Sequence, residues 1–136
     1  MIIKTEEEMI DFGRRLGKTL KPPLAVELIG DVGVGKTTLV KGLAKGLGLT
    51  TPVTSPSFTI NKIYGQKGQT FLSHYDFYRL ADPGIMADDL AESLADPNTI
   101  TVVEWGETVK NLLPENRLQI MIAYRDDGSR LVEIRR

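Results

Sequence analysis

Apolar residues recur along this chain with two distinct periods. Met9, Phe12, Leu16 and Leu20 repeat at helical spacing, and Thr5 with Glu8 forms a capping box ahead of them. A helix is therefore predicted over about 6 to 20, where Pro22-Pro23 forbids its continuation. Leu24 to Ile29 is an apolar run of strand length. Leu39, Val40, Leu43 and Leu47 then supply a second helical stripe, over about 37 to 47, with Gly48 placed to stop it. Residues 49–57 are polar, carry Pro52 and Pro56, and show no period, so they read as a stiffened loop.

Beyond that loop the strand signal dominates. Phe58 to Tyr64 and Thr70 to Asp76 are β-rich runs on either side of Gly65-Gln66-Lys67-Gly68 and predict a hairpin or neighbouring strands. Asp82-Pro83 reads as an N-cap with proline at the first helical position, opening a short helix to about Leu94. Ile100 to Val103 is a β-branched run that ends on Glu104. Two last strands, Arg117 to Tyr124 and Leu131 to Arg135, flank a turn at Asp126-Asp127-Gly128. Strands alternating with helices predict an α/β sandwich, with a mixed sheet of parallel core and antiparallel margin and helices on both faces. With 136 residues, the expectation is a single domain, 1–136.

The segment between the first strand and the second helix carries the chemistry. It reads Gly30-Asp31-Val32-Gly33-Val34-Gly35-Lys36-Thr37-Thr38, the arrangement of a P-loop. Glycines let the backbone curl with its N–H groups inward, Lys36 reaches the β- and γ-phosphates of a nucleoside triphosphate, and the Thr37 hydroxyl ligates Mg²⁺. A helix beginning there adds its positive end to the same point. Asp31, Val32, Gly33, Val34, Gly35, Lys36, Thr37 and Thr38 are thus the expected nucleotide-binding stretch, in a P-loop NTPase-type sandwich. Ligands of such sheets sit at the carboxyl ends of strands, which brings Asp76 and Glu104 to the same edge.

A magnesium triphosphate site needs a carboxylate at a nearby strand end, and both Glu104 and Asp76 qualify. Thr54 and Ser55, between Pro52 and Pro56, stand either for hydroxyls that sense the γ-phosphate or for a proline-stiffened connection. His74, Asp76 and Tyr78 share one face of an extended chain, as a set that orients attacking water or with His74 as a structural hydrogen-bonder. Trp105 either stacks on the base or packs in the core.

Composition trims the alternatives. Seventeen Lys plus Arg against eighteen Asp plus Glu leave a net charge of −1, too weak a field to attract polyanions, so tight binding of RNA or DNA by this chain alone is not expected. The absence of cysteine removes disulfides and thiolate metal sites. The sequence around Met1 to Glu8 lacks a secretion-signal pattern, and no stretch has the apolar length of a membrane span, so a cytoplasmic protein is expected.

Four separated segments then agree with one family. The phosphate loop, Val53-Thr54-Ser55-Pro56-Ser57-Phe58, His74-Tyr75-Asp76-Phe77-Tyr78-Arg79-Leu80 and Val103-Glu104-Trp105-Gly106-Glu107 together resemble the TsaE family of small bacterial ATPases, from about Thr5 to Tyr124. The resemblance implies that Lys36 and the loop amides hold ATP, that Thr37 and Glu104 serve Mg²⁺, that Thr54 and Ser55 act as a switch, and that Asp76 is needed for hydrolysis. It also implies work bound to a threonylcarbamoyl transferase and its non-catalytic paralogue, of the TsaD and TsaB type, in placing threonylcarbamoyl on adenosine 37 of tRNAs that read codons beginning with A. Val32 and Val34 stand where Leu and Ala are more usual, Ser57 replaces a Thr, and the match is weak between Pro83 and Asp96. A small-molecule kinase would need an arginine-bearing lid, and only scattered arginines are present. A GTP switch would need Asn-Lys-x-Asp, and Asn61-Lys62-Ile63-Tyr64 lacks the Asp.

Overall fold

The computed structural model of the protein describes residues 1–50, 52–53, 61–78 and 84–136. Its elements follow in the order β1 (Ile2–Ile3), α1 (Glu6–Gly17), β2 (Leu24–Ile29), α2 (Lys36–Gly46), β3 (Asn61–Tyr64), β4 (Phe71–Asp76), α3 (Ile85–Ala95), β5 (Thr99–Glu104), β6 (Leu118–Tyr124) and β7 (Arg130–Arg135). A 3₁₀ turn, Gly106–Val109, follows β5. The strands form one sheet of order β1-β7-β6-β2-β5-β4-β3. β6, β2, β5 and β4 run parallel, and β7, β1 and β3 add antiparallel margins, as the alternation of elements predicted.

Two separate clusters cover the two faces. Leu72, Ile100, Val102, Val26, Leu28 and Ile120 point toward α1 and α2, whereas Tyr75, Val103 and Leu90 pack on the side of α3. This division follows from the period of two, which sends neighbouring residues of each strand to opposite faces.

The start of α1 is a side-chain cap: Thr5 Oγ1 accepts a hydrogen bond from the Glu8 amide at 3.1 Å, and Glu8 Oε2 accepts from the Lys4 amide at 3.0 Å. Its end comes three residues earlier than the apolar spacing predicts. After Gly17 the chain tightens, with the amides of Thr19 and Leu20 donating to the carbonyls of Leu16 and Gly17.

The reason α2 lies where it does is a glycine seam. A methyl group on Gly13 or Gly17 of α1 would stand 2.6 Å from the carbonyl oxygens of Leu39 and Leu43, and one on Gly42 or Gly46 of α2 would stand 2.3 Å from those of Ile10 and Arg14. The two helices therefore touch backbone to backbone, a separation any side chain would enlarge. Because α2 begins at Lys36, that seam also sets the height of the phosphate loop over the sheet.

The predicted strand from Phe58 and the predicted cap at Asp82-Pro83 fall partly or wholly outside the described residues. Within them, β3 runs antiparallel to β4 with Asn61 opposite Tyr75, and α3 starts after Gly84.

Replacing Gly42 with Ala improves helix propensity by about 1 kcal/mol, yet overpacking a close contact costs about 1–3 kcal/mol. With a backbone oxygen 2.3 Å from the new methyl, Gly42→Ala is expected to destabilise the protein in urea titration. Stability equal to or above that of the parent chain would mean that the seam is loose.

Candidate functional site

β2 delivers the chain to the sheet edge at Ile29, and residues 30–35 turn it back into α2. Gly33 and Gly35 have φ of +79° and +115°, the left-handed region that side chains resist, so the curl requires glycine at both points. Gly35 is the N-cap residue of α2. The α2 start adds the positive end of its peptide dipoles.

β5 lies between β2 and β4, with Leu28 opposite Glu104 and Asp76 opposite Glu104. That register gathers the loop, Glu104 and Asp76 at one edge, as the strand-end rule predicts. A cavity of about 410 Å³ opens there, lined among others by Lys36, Thr37, Asp76, Glu104, Tyr78 and Trp105. Val32, Gly33, Gly35 and Thr38 complete its wall, while Asp31 is exposed beside it.

Lys36 is only 6% exposed. Its ammonium donates to the Gly30 carbonyl, stands 3.9 Å from Glu104 Oε1 and lies 4.1 Å from the centre of the Trp105 ring. Burial lowers its pKa below the ordinary lysine value, and the charges of Glu104, Asp76 and Asp31 oppose that shift. Trp105 adopts a left-handed backbone (φ +58°), the one non-glycine residue to do so among those described. It is half-buried against the α3-side cluster and meets the Tyr78 ring at 4.8 Å. Its ring thus sits at the lysine end of the cavity.

Glu104 is also buried, and its Oε2 is hydrogen-bonded to His74 Nε2. His74 is wholly buried, so among the readings of the His74-Asp76-Tyr78 set the structure favours hydrogen-bonding for the histidine, which fixes the carboxylate and does not meet bulk water. Its Nδ1 has no hydrogen-bond partner among the described residues.

Asp76 is partly buried, and its Oδ1 accepts a hydrogen bond from the Tyr78 amide at 2.9 Å. Burial raises its pKa, the Tyr78 amide lowers it, the charge of Glu104 raises it, and His74 and Lys36 lower it, leaving a net rise. Thr54, Ser55 and Arg79 lie outside the described residues.

No cluster of three carboxylate, histidine or cysteine side chains that could hold a metal occurs among the described residues. What the cavity offers is hydroxyls, from Thr37, Thr38 and Tyr78, and the two carboxylates of Asp76 and Glu104, hard oxygen donors. That is the set expected when a magnesium ion takes most of its ligands from phosphates and water.

Sequence reasoning did not anticipate two neighbours of the loop. The Tyr124 hydroxyl donates to the Gly33 carbonyl at 2.6 Å, and Arg130 Nε donates to the Val34 carbonyl at 3.0 Å. Both come from more than ninety residues further along the chain, and nothing in local spacing marks them.

A glycine loop joining a central parallel strand to a helix, with a carboxylate at the end of the adjacent strand, defines the P-loop NTPase-type sandwich. Comparison narrows the class. A sequence model of the threonylcarbamoyl adenosine biosynthesis protein TsaE matches residues 3–132. The chain is 36% identical to the tRNA threonylcarbamoyladenosine biosynthesis protein TsaE of Nostoc sp. over 98% of its own length and 83% of that protein's. It is 35% identical to the protein of the same description from Treponema pallidum, over 98% and 97% of the two chains. The crystal structure of Bacillus subtilis YdiB superposes with a TM-score of 0.80 at 33% identity, covering 97% of this chain and 80% of that one. This chain belongs to the TsaE family. No helix among the described residues is long and apolar enough to cross a membrane.

Because burial raises the Asp76 pKa, its charged form is disfavoured in the folded chain: the penalty is absent below the unfolded pKa and grows as pH rises through the folded one. Asp76→Asn, which keeps an acceptor for the Tyr78 amide, is therefore expected to raise the melting temperature of the metal- and nucleotide-free protein at pH 7. The gain should shrink toward pH 4. A gain that is absent at pH 7, or larger in acid, contradicts the assignment.

Proposed function

We propose that this chain is the Mg²⁺-dependent, ATP-hydrolysing subunit of the assembly that forms N6-threonylcarbamoyladenosine at position 37 of tRNAs reading codons that begin with A. The observation that carries the reading is the convergence of Lys36, Thr37, Asp76 and Glu104 on one cavity at the mouth of the glycine loop. The pathway comes from the relatives' printed descriptions.

In the nucleotide-free chain Lys36 rests on the Gly30 carbonyl, a neutral partner, with the nearest Glu104 oxygen at 3.9 Å. A γ-phosphate offers that ammonium an oppositely charged acceptor, which adds ion pairing to a bond that carries charge only on its donor in the free chain. The loop amides take the other phosphate oxygens. Thr37, through its hydroxyl, and Glu104, directly or through a water, are the ligands proposed for the metal. A magnesium ion held there would supply positive charge against the charge that develops on the phosphates during transfer. His74 holds Glu104 in its orientation for this role.

Asp76 is the proposed water-positioning group. One of its oxygens is occupied by the Tyr78 amide, which leaves the other for a water aimed at the γ-phosphorus. Its raised pKa makes it a better proton acceptor than an exposed aspartate. Phosphoryl transfer is catalysed chiefly by such positioning and by electrostatics. Thr54 and Ser55 are proposed to close over the γ-phosphate. Hydrolysis is expected to be slow in the isolated chain and to reset a complex with the transferase and its paralogue (TsaD and TsaB type). Contact with tRNA then runs mainly through those partners, consistent with the chain's net charge of −1.

Release of free phosphate from MgATP is the assay. Lys36→Ala removes a charged donor and is expected to weaken MgATP binding by about tenfold or more and to bring hydrolysis to background, while the two partners accelerate the parent chain. Undiminished phosphate release by Lys36→Ala would refute the site. Label appearing on a small molecule would point to a kinase, and displacement of ATP by low GTP to a guanine switch.

A further inference from the structure

The phosphate loop is gripped from behind. Tyr124 ends β6 and Arg130 begins β7, and the two are paired across the hairpin. The Tyr124 hydroxyl donates to the Gly33 carbonyl at 2.6 Å, and Arg130 Nε donates to the Val34 carbonyl at 3.0 Å. The pair is braced before it reaches the loop. The Arg130 guanidinium lies 4.2 Å from the Tyr124 ring centre and donates through Nη1 to the Gly128 carbonyl at 2.5 Å. On its other side Arg130 is in register with Ile3 of β1, and the Met1 amino group donates to the Val132 carbonyl.

Peptide planarity turns this grip into an orientation. In a trans peptide the carbonyl of one residue and the N–H of the next point in opposite directions. Holding the Gly33 carbonyl outward directs the Val34 amide inward, where it closes a turn on the Asp31 carbonyl at 3.2 Å. Holding the Val34 carbonyl outward directs the Gly35 amide away from Arg130. Glycines at 33 and 35 give this stretch a wide choice of backbone conformations, so without external partners the peptides would be free to flip. Arg130 lines a cavity of about 230 Å³ on the N-terminal side of the loop, and the 410 Å³ cavity of Lys36, Thr37, Asp76 and Glu104 does not include it.

We infer that Tyr124 and Arg130 are positioning residues of the phosphate loop: by fixing the Gly33 and Val34 carbonyls outward they preset the Gly35 amide for the phosphates of a bound nucleoside triphosphate. The inference rests on the phosphate-site reading above and adds to it where the order of the loop comes from. Preorganisation of this kind strengthens binding by removing the cost of ordering the loop.

The test compares two probes, MgATP and magnesium tripolyphosphate, by calorimetric titration of the parent chain, Tyr124→Phe and Arg130→Met. Tyr124 is about half exposed, and the phenylalanine variant keeps the ring under Arg130, so folding is preserved while one hydrogen bond is lost. The expected losses are about fivefold for Tyr124→Phe and about tenfold or more for Arg130→Met, the same for both probes because the defect lies in the loop. In ¹⁵N–¹H spectra the Gly35 amide should move on tripolyphosphate addition in the parent chain and move less in Arg130→Met. In hydrolysis the variants should raise KM by a larger factor than they lower kcat. A loss confined to MgATP would overturn the inference by showing a direct contact with the nucleoside, and unchanged affinity in both variants would overturn it outright. A parent chain that binds neither probe would remove the phosphate-site reading and the clamp together.

Discussion

A lysine ammonium held out of water sets the terms for this structure. Moving a charge from water into a protein interior is costly unless it is paired and hydrogen-bonded, and Lys36 is met by a carbonyl, an aromatic face and a carboxylate at 3.9 Å. Glu104, itself buried, is met in turn by His74. The result is a line of buried polar groups that runs from β4 through the end of β5 into the first turn of α2. Each member depends on the register of its neighbours. A slip of one residue in β5 would turn Glu104 toward the α3 face and leave both Lys36 and His74 without it.

The rest of the fold serves that alignment. The parallel pairing of β2, β5 and β4 brings three strand ends to one edge, and the glycine seam between α1 and α2 fixes the height at which α2 enters it. The β6–β7 hairpin holds two loop carbonyls. A second buried carboxylate, Glu27 on β2, is satisfied by Arg117 at 2.8 Å and Gln119 at 2.9 Å on the opposite face. Its Oε2 would stand 3.0 Å from a methyl group on Gly106, just past Trp105, so the turn that carries Trp105 over Lys36 rests on this network. Structural and functional polar groups are thus kept on opposite faces of the same sheet.

Much of this was legible in the sequence, for physical reasons that can be named. α1 and α2 announce themselves by apolar stripes and by caps, and β2 and β5 by short apolar runs beside glycine or acidic stops. The phosphate loop, Thr37, Asp76 and Glu104 were readable because their spacing is local or lies at strand ends. What was not legible depends on distance. β1 is two residues long and exists only because β7 lies beside it. The interior glycines of α1 and α2 look like weak helix positions until the two helices are brought together. Tyr124, Arg130 and the pairing of His74 with Glu104 need the tertiary fold. Thr54 and Ser55 fall outside the described residues, and their part in the reading stands on the sequence alone.

Every role given to this site depends on recognition of a polyphosphate by the buried lysine and the amides of the loop. Calorimetric titration of the unmodified chain, with MgATP in one arm and adenosine in the other, asks this directly. Saturable one-to-one binding of MgATP with adenosine far weaker is the expected result. Absence of saturable heat with MgATP, or equal binding of adenosine, would contradict it.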